Sequence, residues 1–145
     1  STQLLFKWLD IQDWPPFYDR MILMFQKEVA DRIVSEHNKK KYGKISVACQ
    51  VRCKVKKLLI APPNIFTPIP KVQGTVLDFK PSAKYKDIDY TKLKKILSLA
   101  FSQRRKKIKT YLKNYRHLLN ELKINENLRA ENLSISDFCR LANYS

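Results

Sequence analysis

At 145 residues and 44% hydrophobic content, the chain is long enough to bury a core of its own, as one domain or one domain with an appendage. Its 29 Lys and Arg against 13 Asp and Glu give a net charge of +16, which points to a polyanionic partner, although a membrane surface would also attract it. No apolar run approaches the roughly 18 residues of a spanning helix, no secretory leader pattern opens the chain, and three cysteines without a C-x-x-C pair suit free thiols, so a soluble cytoplasmic protein without membrane partner or metal is expected.

Leu4, Leu5, Trp8 and Leu9 recur at helical spacing from the first residues, with Thr2 the nearest cap candidate. Trp14, Pro15 and Pro16 break that helix. The apolar run Arg20 to Gln26 is too short for a helix and suits a strand buried on both faces, as in parallel α/β sheets. From Lys27 to Glu36, Val29, Ala30 and Ile33 share one face opposite charged residues, predicting an amphipathic helix. The order helix, strand, helix is an α/β pattern. Lys39, Lys40 and Lys41, before Tyr42 and Gly43, form a basic turn that is either a solvated loop or a phosphate contact. Lys44 to Gln50 predicts one helical turn or two.

Alternation then takes over. In Val51 to Ile60, Val51, Cys53 and Val55 alternate with Arg52, Lys54 and Lys56, predicting a strand with one wet, basic face. Four of the seven prolines and one of the two glycines fall between Ile60 and Gly74. Each proline locks φ and removes a backbone donor, so neither helix nor central strand can pass and a stiff irregular loop is predicted. Phe66 at its middle is either an anchor pinning the loop to the core or a platform for a flat ligand such as a base. Thr75 to Phe79 supply the next strand. Two strands joined without a helix must pair antiparallel if they pair at all.

Composition shifts at Pro81: a polar linker, Ser82 to Lys86, precedes a region with helical patterning only. Asp89 is placed to cap a helix whose apolar face is Leu93, Ile96, Leu97, Ala100 and Phe101. A basic helix is expected from Arg104 to Lys113, with Ile108 and Leu112 toward the core and Lys106, Lys109 and Lys113 along another face. Between Lys84 and Arg116 stand 12 Lys and Arg against 2 Asp and Glu, so +10 of the +16 lies in this segment, with too few acidic partners for an ordinary solvated face. Leu118, Leu119 and Leu122 continue the core pattern, His117 among them has no ligand neighbour and is expected to be structural, and Ser134 with Asp137 forms a capping box for the last helix.

Five blocks in this order, MILMFQKEVADRI (Met21 to Ile33), KYGKISV (Lys41 to Val47), APPNIFTPIPKVQG (Ala61 to Gly74), AFSQRRK (Ala100 to Lys106) and RAENLSISDFCRLAN (Arg129 to Asn143), resemble the KsgA family of rRNA adenine dimethyltransferases, in its bacterial form. The resemblance implies an α/β fragment: the C-terminal part of a Rossmann-like class I methyltransferase sheet over 1–81, a linker at 82–86, and a small all-helical rRNA-binding domain over 87–145. It also implies a sheet order of 21–25, then 75–79, then 51–60. The family's glycine-rich S-adenosylmethionine loop and its N-L-P-Y motif are not in the sequence, and Ser1 to Leu4 resemble the residues that follow N-L-P-Y. A fragment inactive alone, with no cofactor bound, is therefore expected, from a parent that dimethylates two adjacent adenosines near the 3′ end of small-subunit rRNA with S-adenosylmethionine.

By the same resemblance Phe66 stacks on the flipped adenine, and Lys71, Arg104, Arg105, Lys106, Lys107, Lys109 and Lys113 hold rRNA phosphates. The expected partner is the ribosomal small subunit, and the apolar strand 21–25, lacking a neighbour, would self-associate or retain the upstream piece. A non-catalytic RNA-binding or ribosome-assembly module using the same basic surface is the rival reading.

Overall fold

The computed structural model describes residues 2–11, 13–61 and 73–145. Helix α1 (Thr2–Leu9) buries Leu5 and Leu9, and β1 (Met21–Gln26) leads directly into α2 (Lys27–Val34), which buries Ala30 and Ile33. The predicted amphipathic face of α2 is thus the one that packs. Helix α3 (Lys44–Arg52) is longer than the sequence pattern suggests, and β2 (Cys53–Ala61) follows it without a loop. The Gly43 amide donates to Ser46 Oγ at 3.0 Å, satisfying one orphan donor at the start of α3, while the Ser46 hydroxyl donates to the carbonyl of Arg32 in α2.

Val51 and Arg52 therefore belong to the last turn of α3, correcting the strand expected from Val51. The reason lies on the other periodicity: Val47, Ala48 and Val51 are all buried, a helical stripe that overrides a short two-residue alternation. β3 (Gly74–Pro81) lies between the other two strands, so the sheet order is β1-β3-β2 and both pairings are antiparallel. That order matches the one implied by the resemblance. Burial of β1 on both faces does not occur among the described residues, because Phe25 is 5% exposed whereas Ile22 and Met24, on the opposite face, are 52% and 42% exposed. An apolar run reports what a strand can bury, and only one face here has helices against it.

On that covered face Phe79 meets Phe25 with ring centroids 6.0 Å apart, and α2 and α3 pack over β2 and β3. The helical region follows: α4 (Tyr90–Ala100), α5 (Ile108–Tyr111), α6 (Arg116–Glu121) and α7 (Ile135–Tyr144). Asp89 caps α4 by accepting from the Lys92 amide at 3.0 Å, and Ser134 and Asp137 exchange hydrogen bonds at 3.1 Å as a capping box for α7. Helices α4 and α7 pack on one another and on α3, so α3 is shared by the sheet and the helical region. Two buried hydroxyls fasten that junction, Tyr42 to the Leu133 carbonyl at 2.8 Å and Tyr90 to the Ala48 carbonyl at 2.9 Å.

The continuous basic helix expected from Arg104 does not form. Residues 101–106 make a turn, Lys107 bridges Arg129, and the helix that follows is the single turn α5. Between Phe101 and Ile108 no apolar residue is available at core spacing, so a helix there would have nothing to bury. Instead the Ile108 and Lys109 amides donate to the carbonyls of Leu128 and Glu126, at 2.8 and 3.1 Å. His117, expected among core residues, has an 89% exposed side chain 2.9 Å from Glu121, because Leu119 rather than its own side of α6 faces inward.

Candidate nucleic-acid interface

Arg104 organises the basic region from below. Its guanidinium donates to the carbonyls of Lys40, at 2.8 Å, and Tyr42, and lies 3.9 Å from Glu131. Both hydrogen bonds come from Nη2, so that nitrogen is committed to the protein, and the bidentate phosphate contact expected of Arg104 would fall to its Nε and Nη1 donors. The consequence for the surface reaches beyond Arg104 itself. By tying 40–42 to the turn at 101–106, Arg104 brings the Lys39–Lys41 run beside Arg105, Lys106 and Lys107, two segments far apart in sequence.

Arg105, Lys106 and Lys107 are exposed and form no ion pair among the described residues. The Lys107 bridge to Arg129 adds an exposed cation that sequence reasoning missed; only the pairing of remote segments could have revealed it. Lys109 is half-buried beside that pairing, and Lys113 is exposed in the short 3-10 turn after α5. Arg116 is not available in the same way, since Glu126 accepts from it at 2.8 and 3.0 Å. Phe66 and Lys71 lie outside the described residues.

A second concentration of charge surrounds Asp31. Its carboxylate, only 9% exposed, receives Lys27 at 2.8 Å, Lys41 at 3.0 Å and Lys57 at 2.5 Å. The hydrogen bonds from Lys27 first, then Lys57 and Lys41, outweigh burial and hold this carboxyl well below the usual carboxylate range. Asp31 is thus an anion at any physiological pH.

The groups that could do chemistry elsewhere are quiet. Burial pushes the thiols of Cys53 and Cys139 up to about 12 and that of Cys49 up as well, so all three free cysteines are protonated and poorly nucleophilic. Among the described residues no His, Cys, Asp and Glu cluster is arranged to hold a metal, and no helix is long and apolar enough to cross a membrane. As for the S-adenosylmethionine that the resemblance implies for the parent, Gly43 precedes α3 and Gly74 opens β3, and among the described residues neither belongs to a glycine-rich strand-to-helix loop.

The profile of the family described as ribosomal RNA adenine dimethylase matches residues 1–145. The chain is 43% identical over 145 residues to the ribosomal RNA small subunit methyltransferase A of Allorhizobium ampelinum, covering 99% of this chain and 53% of that protein. It is also 43% identical over 149 residues to the protein of that name from Ehrlichia ruminantium, covering 99% of this chain and 55% of the relative. A dimethyladenosine transferase structure from Plasmodium falciparum superposes with a TM-score of 0.81 at 23% identity, over 97% of this chain and 61% of that one. The 23S rRNA methyltransferase ErmE superposes with a TM-score of 0.63 at 15% identity, over 98% of this chain and 59% of that one, which again is a likeness of fold. The chain spans about half the length of the curated relatives it matches. It belongs to the ribosomal RNA adenine dimethylase family.

Proposed function

We propose that this chain is the RNA-engaging, C-terminal part of a small-subunit rRNA adenine dimethyltransferase, with 1–81 completing the catalytic domain and 87–145 seating the enzyme on the ribosomal small subunit. The observation that carries this reading is the exposed basic surface at Arg105, Lys106 and Lys107, set beside Lys39 and Lys40 in a chain that matches the family throughout. Such a surface binds phosphates without reading sequence, releasing counterions as it does so. Lys109, Lys113 and Lys71 extend it, and Arg104 serves it chiefly by holding the two basic segments together.

In the parent enzyme, which draws its methyl groups from S-adenosylmethionine, the target adenines are two neighbours near the 3′ end of the rRNA. Phe66 supplies the ring on which the flipped adenine stacks, an interaction worth about 1–3 kcal/mol per base. In this reading methyl transfer needs the cofactor-binding half of the parent, and the same exposed basic surface also suits a second reading, a non-catalytic RNA-binding module.

Fluorescence anisotropy with a small-subunit rRNA 3′ fragment tests the interface. In the triple variant Arg105→Gln, Lys106→Gln, Lys107→Gln, binding should weaken at least tenfold and its salt slope should shrink by about 0.7 for each single-stranded phosphate no longer neutralised. Unchanged affinity and slope would refute the interface.

A further inference from the structure

We propose that Lys27, Lys41 and Lys57, gathered on the Asp31 carboxylate, form a second phosphate site, one that takes the backbone of a single RNA strand leaving the Arg105–Lys107 turn. The inference rests on the RNA-engaging role proposed for the chain. The three lysines come from different places, the first residue of α2, the turn before α3, and the middle of β2. Lys27 and Lys41 both contact Oδ2, at 2.8 and 3.0 Å, while Lys57 contacts Oδ1 at 2.5 Å.

One carboxylate cannot neutralise three ammonium groups. Fastening α2 to β2 requires a single Lys57–Asp31 pair, yet two further cations crowd the same oxygens and leave a local excess of positive charge. Holding like charges this close is unfavourable unless an anion joins them. The geometry leaves room for one. The side chains of Lys27, Lys41 and Lys57 are 49%, 53% and 39% exposed, although the carboxylate between them is 9% exposed. Each ammonium carries three donors and commits one to Asp31, so donors remain on the open side.

A cavity of about 320 Å³ opens over the cluster, lined by Asp31, Lys39, Lys40, Lys41, Lys57 and Glu36. Besides Asp31, Glu36 is the one opposing charge in that lining, and it sits 3.8 Å from Lys39. The location favours a strand rather than a free ion. On one side the Lys40 carbonyl accepts from Arg104, which roots the basic turn. On the other, the Lys27 amide donates to the Gln73 carbonyl at 2.9 Å and Lys57 lies on β2, so the cluster reaches from the start of α2 to the middle of β2. An RNA strand held at the turn and continuing over the cavity would meet these ammonium groups.

The test measures binding of a short single-stranded oligoadenylate to the 145-residue chain across a salt series. Lys41→Gln with Lys57→Gln should weaken binding several-fold and reduce the salt slope by about 0.7 per phosphate released, while Lys41→Arg with Lys57→Arg keeps the slope. Should the glutamine variant misfold, acetylation footprinting of the unmodified chain decides: bound oligoadenylate should protect Lys27 and Lys41, with Lys123 as an exposed reference. A folded glutamine variant with unchanged affinity and slope, or equal acetylation with and without RNA, overturns the site. If the Arg105, Lys106, Lys107 triple variant meanwhile loses binding, only this inference fails; if neither variant set matters, the RNA-engaging reading fails with it.

Discussion

Between the rings of Trp14 and Tyr90, 4.5 and 4.1 Å from their centroids, the Arg52 guanidinium is held with the residue only 3% exposed. Trp14 precedes the sheet and Tyr90 begins α4, so one side chain at the end of α3 joins both parts of the molecule. Burial lowers the pKa of Arg52 from its ordinary value, yet a guanidinium stays charged, and the two aromatic faces replace part of its lost hydration. Its Nε has no partner, which makes the stacking the main compensation. Arg52→Ala is expected to destabilise the fold by about 2–4 kcal/mol in urea denaturation, because packing and a desolvated cation–π interaction go together. Lys54→Ala, at an exposed position two residues on, should stay within about 0.5 kcal/mol. Equal effects at the two sites would restore the wet-strand reading of Arg52. The alternation of Arg52, Lys54 and Lys56 was legible in the sequence, but it could not reveal that Trp14 and Tyr90 converge on the first of them.

At the scale of elements, β1 carries the clearest unmet requirement. Among the described residues it is an edge of the sheet, bonded only to β3, and its exposed face continues into a row in which Met24, Val76 and Leu59 stand side by side. Ile22 and Leu59, 52% and 56% exposed, enlarge that apolar strip. Further along the same face Arg20 contacts the buried Asp78 carboxylate at 2.9 and 3.1 Å, so the strip ends in a satisfied ion pair. An open apolar edge is a template for pairing, opposed here by the net charge of +16. Raising salt to about 0.5 M screens that repulsion, and the chain should then show concentration-dependent association by sedimentation. Ile22→Lys with Met24→Lys should abolish it, and a clean monomer at every concentration and salt would refute the edge as an association site. The strand itself and its place in the sheet order were readable beforehand. Its one-sided burial was not, because hydrophobicity along a strand does not say which neighbours are present.

For the molecule as a whole, the helical region and the sheet share α3, and the basic surface is built across both. Lys39, Lys40 and Lys41 come from the sheet side, Arg105, Lys106 and Lys107 from the helical side, and Arg104 closes the gap. Any strand bound there would be held across both parts of the molecule. In a parent-length protein with the upstream half restored, Phe66→Ala should therefore lower methyl transfer to unmethylated small subunits by roughly 10- to 100-fold, in proportion to about 1–3 kcal/mol of stacking removed, with rRNA affinity retained. Full activity in that variant would remove Phe66 from the site.

Family membership, the strand order, the caps of α4 and α7 and the concentration of charge after Lys84 were determined by the sequence, because each is a local pattern or an ordered set of motifs. Tertiary structure decided where those charges stand. It tied Arg104 to the carbonyls of Lys40 and Tyr42, dissolved the expected basic helix into a turn paired with 126–129, and buried Arg52 between two rings. It also assembled Lys27, Lys41 and Lys57 around Asp31. Residue spacing specifies only what a single element can present, whereas the field of a site is the sum of charges that remote segments bring together.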